Sequence, residues 1–95
     1  MLAGTRLPDA TLGEPGPGWE LWDNGACPVG SYMKVTTPET SGVVWYIRDP
    51  HGDIGSINPA RHTVIEHGDD SISIDPSIAG GDWHGYLEHG VWRNA

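Results

Sequence analysis

The clearest group of residues able to do chemistry surrounds His84, near the C-terminal end of the chain. A two-residue turn at His89-Gly90 is predicted between strands Trp83–Leu87 and Val91–Arg93, because glycine supplies the positive φ that a tight hairpin turn needs. Side chains alternate along a strand, so one face of this hairpin would carry Asp82, His84, Tyr86, Glu88 and Arg93. Such a group could bind a phosphate, or use the imidazole as an acid–base catalyst to cleave a phosphodiester.

Two alternatives to this site stay open. The polar face could be an ordinary solvated strand surface on which Arg93 stacks over Tyr86. A three-residue loop at Glu88–Gly90 would instead put Arg93 beside Gly85 and disperse the polar row. With the two-residue turn, the opposite face is apolar and forms core, through Trp83, Gly85, Leu87 and Trp92.

The histidine spacing argues against a metal site. His62 and His67 are five residues apart, as are His84 and His89, and on a strand an odd spacing sends the two rings to opposite faces. Neither pair can chelate a metal ion on its own, so no metal and no cofactor are predicted. An enzyme would need His62 or Glu66 brought to His84 by tertiary folding.

The composition predicts a mainly β domain. The 95 residues include 14 glycines and eight prolines, which disfavour long helices, and the five tryptophans and three tyrosines must supply the large apolar side chains because phenylalanine is absent. We expect five to seven short strands in a small antiparallel sheet, a partly open barrel or a sandwich.

The positions of proline and glycine indicate the order of elements along the chain. Residues 1–18 are rich in proline and glycine and predict an irregular N-terminal arm, followed by one β-rich domain over residues 19–95. Trp19–Trp22 is interpreted as a possible short edge strand that anchors the arm. Gly42–Arg48 is β-branched and aromatic and apolar on both faces, which predicts a strand in the middle of a sheet.

Two further hairpins are predicted. Asp49–Asp53 is typical of a turn that leads into a strand at Ile54–Ile57. The segments His62–His67 and Ser71–Asp75 would pair across Gly68–Asp70. If two residues within that stretch form the loop, whichever two they are, one face carries Ile65, His67, Ile72 and Ile74, and the other carries His62, Val64, Glu66, Ser71, Ser73 and Asp75.

The charge and cysteine content narrow the functional classes. Thirteen acidic residues against five basic ones give a formal net charge of −8, which disfavours binding to duplex nucleic acid. A basic protein partner, or a small anionic ligand in a pocket with one or two arginines, remains compatible with this charge. Cys27 is the single cysteine, and with no signal peptide and no apolar run long enough to span a membrane we expect a cytoplasmic protein.

The C-terminal half resembles a known group of proteins. Ile74–Ile78, with the sequence IDPSI, is followed by Trp83–Leu87, with the sequence WHGYL, and His62–Val64 and Glu66-His67 lie upstream. This arrangement, over residues 43–93, resembles small phage and bacterial accessory proteins of a family of unknown function. Larger relatives carry several cysteines suggestive of zinc, whereas this chain has one, so a zinc role is not transferred.

The resemblance implies a phage or prophage setting and, for a phage-encoded chain, the cytosol of the host cell. Compact β-rich oligomers that capture nucleotide immune signals recur among phage accessory proteins, so by analogy of context it also implies immune evasion and a homo-oligomer.

The favoured hypothesis is a non-enzymatic protein that binds a small nucleotide or phosphorylated signal. Its pocket would use Trp83, Tyr86 and Trp45 for stacking, and Arg93, Arg61 and His84 for anionic groups. One alternative is a phosphodiesterase that acts on a cyclic or linear nucleotide through His84, with His62 or Glu66 as its partner. Another is an acidic protein-interaction or structural accessory protein.

Overall fold

Strands dominate the chain, which confirms the prediction of a mainly β fold. The computed structural model describes residues 1–95. The strands are β1 (Leu2–Ala3), β2 (Thr5–Arg6), β3 (Ala10–Thr11), β4 (Ser31–Thr37), β5 (Gly42–Arg48), β6 (Ile54–Ile57), β7 (Thr63–Glu66), β8 (Ile72–Gly80), β9 (Trp83–Glu88) and β10 (Val91–Asn94). The one helix, α1, covers Pro17–Asp23. No helix has the length and apolar character needed to cross a membrane.

The strands form two sheets that face each other without closing into a barrel. The N-terminal sheet has the order β2-β4-β5-β6, with β3 also paired to β4, and the C-terminal sheet has the order β1-β10-β9-β8-β7. β2 and β3 run parallel to β4, and every other pair is antiparallel. The core between the sheets consists of Tyr32, Trp45, Ile47, Ile57, Ile72, Ile74, Ile78, Trp83, Leu87 and Trp92.

A second core lies on the other side of the N-terminal sheet, under α1 and the N-terminal segment. It consists of Leu7, Ala10, Trp22, Cys27, Met33 and Val35. Strand β5 lies between β4 and β6 and contributes side chains to both cores, which confirms the central position predicted for it. Covering both faces of this sheet explains why the β5 sequence is apolar on both sides.

The prediction of an edge strand at Trp19–Trp22 is wrong, because these residues belong to α1. Pro17 lies in the first turn of the helix, where its fixed φ is favourable and its missing N–H costs nothing. The two tryptophans are three residues apart and so share one side of the helix, where their rings lie 5.5 and 5.7 Å from that of Tyr46. The segment before α1 contains three two-residue strands, which attach it to both sheets.

The C-terminal hairpin is confirmed in its register and in its faces. Val91 pairs with Glu88 across the two-residue turn, in which His89 and Gly90 have φ values of 45° and 74°. Left-handed conformations at both positions are the requirement of a type I′ turn, which matches the twist of the flanking strands. The inward side chains of this hairpin, Trp83, Leu87 and Trp92, are buried as expected.

The face assignment for the β7–β8 hairpin is wrong. Val64 pairs with Ile74 and Ile65 pairs with Ser73, so Ile72 and Ile74 share their face with Val64 and Glu66, while Ile65 and His67 lie on the other face with Ser73. The reason is a loop with an odd number of residues, Gly68–Asp70, in which Asp70 takes a left-handed φ of 69°. An odd loop reverses the parity that relates the two strands.

Leucine-to-alanine changes at two positions test the division between core and surface. Leu87 has 0% of its surface exposed in the core between the sheets, so Leu87→Ala should lower the free energy of unfolding by about 2–5 kcal/mol. Leu12 is 49% exposed, so Leu12→Ala should change it by no more than about 0.5 kcal/mol. Urea denaturation followed by tryptophan fluorescence measures both, and similar losses at the two positions would contradict this core.

Candidate functional site

The polar face of the C-terminal hairpin forms as predicted, and it lies on the outer surface of the C-terminal sheet. The guanidinium of Arg93 lies 4.9 Å from the ring centroid of Tyr86, and its Nη2 donates to Glu88 Oε1 at 2.6 Å. Arg93 therefore has its charge neutralised and its flat side covered within the hairpin. This arrangement corresponds to the solvated strand surface that was left open as an alternative.

Ser77 brings His84 and His62 together. Its Oγ lies 3.0 Å from His84 Nε2, and its backbone carbonyl lies 3.1 Å from His62 Nε2. A serine hydroxyl beside an imidazole is the first half of a nucleophile–base pair. Asp82, which the sequence analysis placed on the same face, makes no hydrogen bond to His84, so the pair has no third member.

A second serine–histidine contact joins two turns of the C-terminal sheet. The rings of His67 and His89 stack with centroids 3.8 Å apart and planes 10° from parallel. Ser73 Oγ lies 2.8 Å from His67 Nε2 and accepts the backbone N–H of His89 at 2.9 Å. No group of three or more histidine, cysteine or acidic side chains is arranged to hold a metal ion.

The six residues predicted to line one ligand pocket do not gather in one place. His84, Tyr86 and Arg93 lie on the outer surface of the C-terminal sheet, whereas Trp83 is buried on its inner side and donates from Nε1 to Asn94 Oδ1 at 2.9 Å. Arg61 lies exposed in the turn before β7, and Trp45 belongs to the N-terminal sheet.

Trp45 instead meets two of the residues predicted for the enzyme, His62 and Glu66, in a concave site. This corner cleft has a volume of about 270 Å³ and lies where β4 and β5 of one sheet approach β7 of the other. Its lining residues are Lys34, Val43, Trp45, Ile57, Pro59, His62, Val64 and Glu66. An apolar wall with a few converging polar groups is the usual form of a small-molecule site.

At the polar end of the corner cleft, two cations bind the Glu66 carboxylate: Lys34, which lines the cleft, and Arg6, which lies beside Trp45 but is not among the residues that line the cleft. Lys34 Nζ lies 2.9 Å from Glu66 Oε2, and Arg6 Nη2 lies 3.2 Å from Glu66 Oε1. Arg6 also lies 5.0 Å from the ring centroid of Trp45 and 3.0 Å from Asp9 Oδ1. The hydrogen bond from Lys34 is the largest cause that lowers the pKa of Glu66 below its usual value; partial burial opposes the shift, and Arg6 reinforces it.

His62 borders the corner cleft with one ring nitrogen that has no partner. Because Nε2 faces a carbonyl oxygen, it must carry the proton and donate it. In the neutral ring Nδ1 is then the acceptor nitrogen, and it is buried without a hydrogen bond. A donor group placed against this nitrogen would remove the cost of that buried lone pair.

Sequence reasoning missed both cations that bind Glu66. Lys34 is the one charged residue in the otherwise apolar and hydroxyl-bearing strand β4, and a charge that alternates with core positions was the available signal. Arg6 gave no local signal, because its position depends on the parallel pairing of β2 with β4.

Comparison with known proteins gives no relative. A scan against protein-family models, a search of curated proteins and a search of solved structures each find no match. The resemblance to small phage accessory proteins therefore stays a prediction.

The lowered pKa of Glu66 predicts a specific pH dependence of stability. A carboxylate whose pKa is depressed in the folded state stabilises it fully above the ordinary value near 4.5, and this contribution is lost as the pH falls through the lower folded value. Wild-type protein should therefore be more stable than Glu66→Gln at pH 7, and the difference should shrink as the pH falls below 4.5. Urea midpoints of both proteins at pH 7, 5 and 3 measure it, and a constant difference would contradict the ion pairs.

Proposed function

We propose that this chain is a non-enzymatic binding protein that holds a small phosphorylated ligand, of the size of a mononucleotide, in the corner cleft. The observation that carries the proposal is the convergence of Lys34 and Arg6 on one carboxylate beside Trp45. A phosphate group offers the same kind of oxygen acceptors as the Glu66 carboxylate, with more negative charge. A ligand phosphate would thus take the place of Glu66.

Arg6 is better held in place than the carboxylate it binds. The Arg6 side chain is 17% exposed and is fixed by Trp45 and Asp9 as well as by Glu66. The Glu66 side chain is 41% exposed on edge strand β7, so it can turn into solvent at little cost. Binding then keeps the arginine in its present position, which limits the ordering cost of association.

The shape and charge of the site restrict the ligand. A volume near 270 Å³ lies just below the usual range for ligand pockets, so the fit is to a compact ligand. Val43, Val64 and Pro59 supply apolar wall for a sugar or base beside the phosphate. The net charge of −8 repels long polyanions, whereas a single phosphate can be held by two local cations.

Titration with adenosine monophosphate, and separately with inorganic phosphate, tests this proposal. Lys34→Ala should weaken binding about tenfold, because it removes one charged hydrogen bond to the phosphate. Glu66→Gln should strengthen binding roughly fivefold, because a competing anion is lost. Arg93→Ala is the matched control: it removes the same charge from the outer surface of the C-terminal sheet and should change binding less than about twofold. Isothermal titration calorimetry at low salt measures all four proteins.

The same set of proteins separates the alternatives. If Arg93→Ala abolishes binding and Lys34→Ala does not, the ligand site is the hairpin surface and the corner cleft is rejected.

The phosphodiesterase alternative draws support from the contact between Ser77 and His84. Cyclic and linear nucleotides recovered intact after incubation support binding alone, whereas cleavage that His84→Ala abolishes would support the enzyme. The phage setting, the capture of an immune signal and a homo-oligomer remain parts of the proposal that these assays do not address.

A further inference from the structure

Strand β6 leaves one edge of the N-terminal sheet without a neighbour. It pairs with β5 on one side only, and the N–H of Asp49 donates to the carbonyl of Asp53 at 2.9 Å where this hairpin closes. Hydrogen-bonded pairs alternate along an antiparallel ladder, so Gly55 and Ile57 direct their backbone groups toward β5. The N–H and C=O groups of Ile54 and Ser56 therefore point away from the sheet, and none of them bonds to a turn or loop.

Apart from its short length of four residues, this edge lacks the features that usually prevent a further strand from pairing. The sequence of β6, IGSI, contains no charge and no proline, and Ile54 is 66% exposed. On the outer side of the edge, Ile54, Ser56 and Tyr46 border a hollow of about 260 Å³. The outward side chains of an added strand would find apolar contact there.

The inner side of the same edge has a different character. A cavity of about 180 Å³ lies between β6 and the end of β8, and it is bordered by Asp49, Asp53 and His62. The Asp53 carboxylate carries negative charge here. The inward side chains of an added strand would therefore meet acceptors and negative charge, which suit a lysine or arginine.

We propose that β6 accepts an extended basic segment of a partner protein as an additional strand, with apolar and basic side chains in alternation. Backbone pairing with Ile54 and Ser56 supplies affinity, and the two sides of the edge select the alternating pattern. The net charge of −8 favours a basic partner over a second copy of this acidic chain. The cavity beside β6 shares Ile57 and His62 with the corner cleft but not Lys34 or Glu66, so the pairing of an added strand does not depend on the ligand proposed above.

A fluorescein-labelled peptide, acetyl-Lys-Val-Lys-Val-Lys-Val-amide, is the probe, and fluorescence anisotropy measures its binding to the full chain. Ser56→Pro removes an outward-facing N–H and leaves the ladder to β5 intact, so it should weaken peptide binding at least about tenfold. Ser56→Ala keeps that N–H and should bind like the wild type. Asp53→Asn should weaken binding about threefold and reduce its salt dependence, because one charge contact is lost.

Three controls keep the result interpretable. Near-ultraviolet circular dichroism and the melting temperature establish that Ser56→Pro folds, and unchanged titration with adenosine monophosphate isolates the effect to the edge. A version of the peptide N-methylated at alternate residues should not bind, because it lacks the backbone donors.

Three outcomes overturn the proposal. The first is absence of peptide binding by the wild type. The second is equal binding by folded Ser56→Pro. The third is sedimentation that shows a dimer dispersed by Ser56→Pro in a chain that does not bind the peptide, which would assign the edge to a second copy instead.

Discussion

The two sheets of this protein are joined by a buried hydrogen bond from the indole of Trp92 to the backbone of Gly30. The indole Nε1 donates to the carbonyl of Gly30 at 2.8 Å, and Gly30 itself donates to the carbonyl of Arg48 at 2.8 Å. Gly30 has a φ of 87°, and a Cβ there would lie 2.9 Å from Leu2 Cδ2 and 3.2 Å from the Trp92 ring. Only glycine lets the chain turn in this way while the indole packs directly against it. Trp83 then meets Trp92 edge to face at 5.3 Å and extends the core across the C-terminal sheet.

The N-terminal segment depends on this junction and in turn builds the candidate site. Leu2 pairs with Trp92 in the C-terminal sheet, the N–H of Gly4 donates to the carbonyl of Gly90 at 2.7 Å, and Thr5 already belongs to the N-terminal sheet. The chain thus passes from one sheet to the other within a few residues. That crossing carries Arg6 to the ring of Trp45 and to the carboxylate of β7. The N-terminal segment, which the sequence analysis interpreted as an irregular arm, therefore supplies Arg6, one of the two cations that bind Glu66.

The sequence predicts those features of the fold that are determined by residues close together along the chain. The His89-Gly90 turn and the central strand Gly42–Arg48 were predictable because neighbouring residues determine them. The faces of the β7–β8 hairpin were not, because they depend on whether Asp70 takes a left-handed conformation, and that conformation adds one residue to the loop. The sequence identified Glu66 of the corner cleft as a candidate site residue. It did not predict the contact between Glu66 and Arg6, because these residues are 60 positions apart and no periodic pattern in the sequence relates them. The contact depends on the pairing of β2 with β4, which positions Arg6.

The pairing of Leu2 with Trp92 also governs how the fold is reached. Pairing of β1 with β10 closes a loop that contains nearly all of the strands. The parallel ladder of β2 likewise forms only after β4 is available to pair with it. Chain entropy opposes such distant contacts until much of the rest is in place. The topology therefore has a high contact order, and folding should be slow relative to a helical domain of this length. During synthesis, the C-terminal sheet cannot be completed until its final strand has left the ribosome.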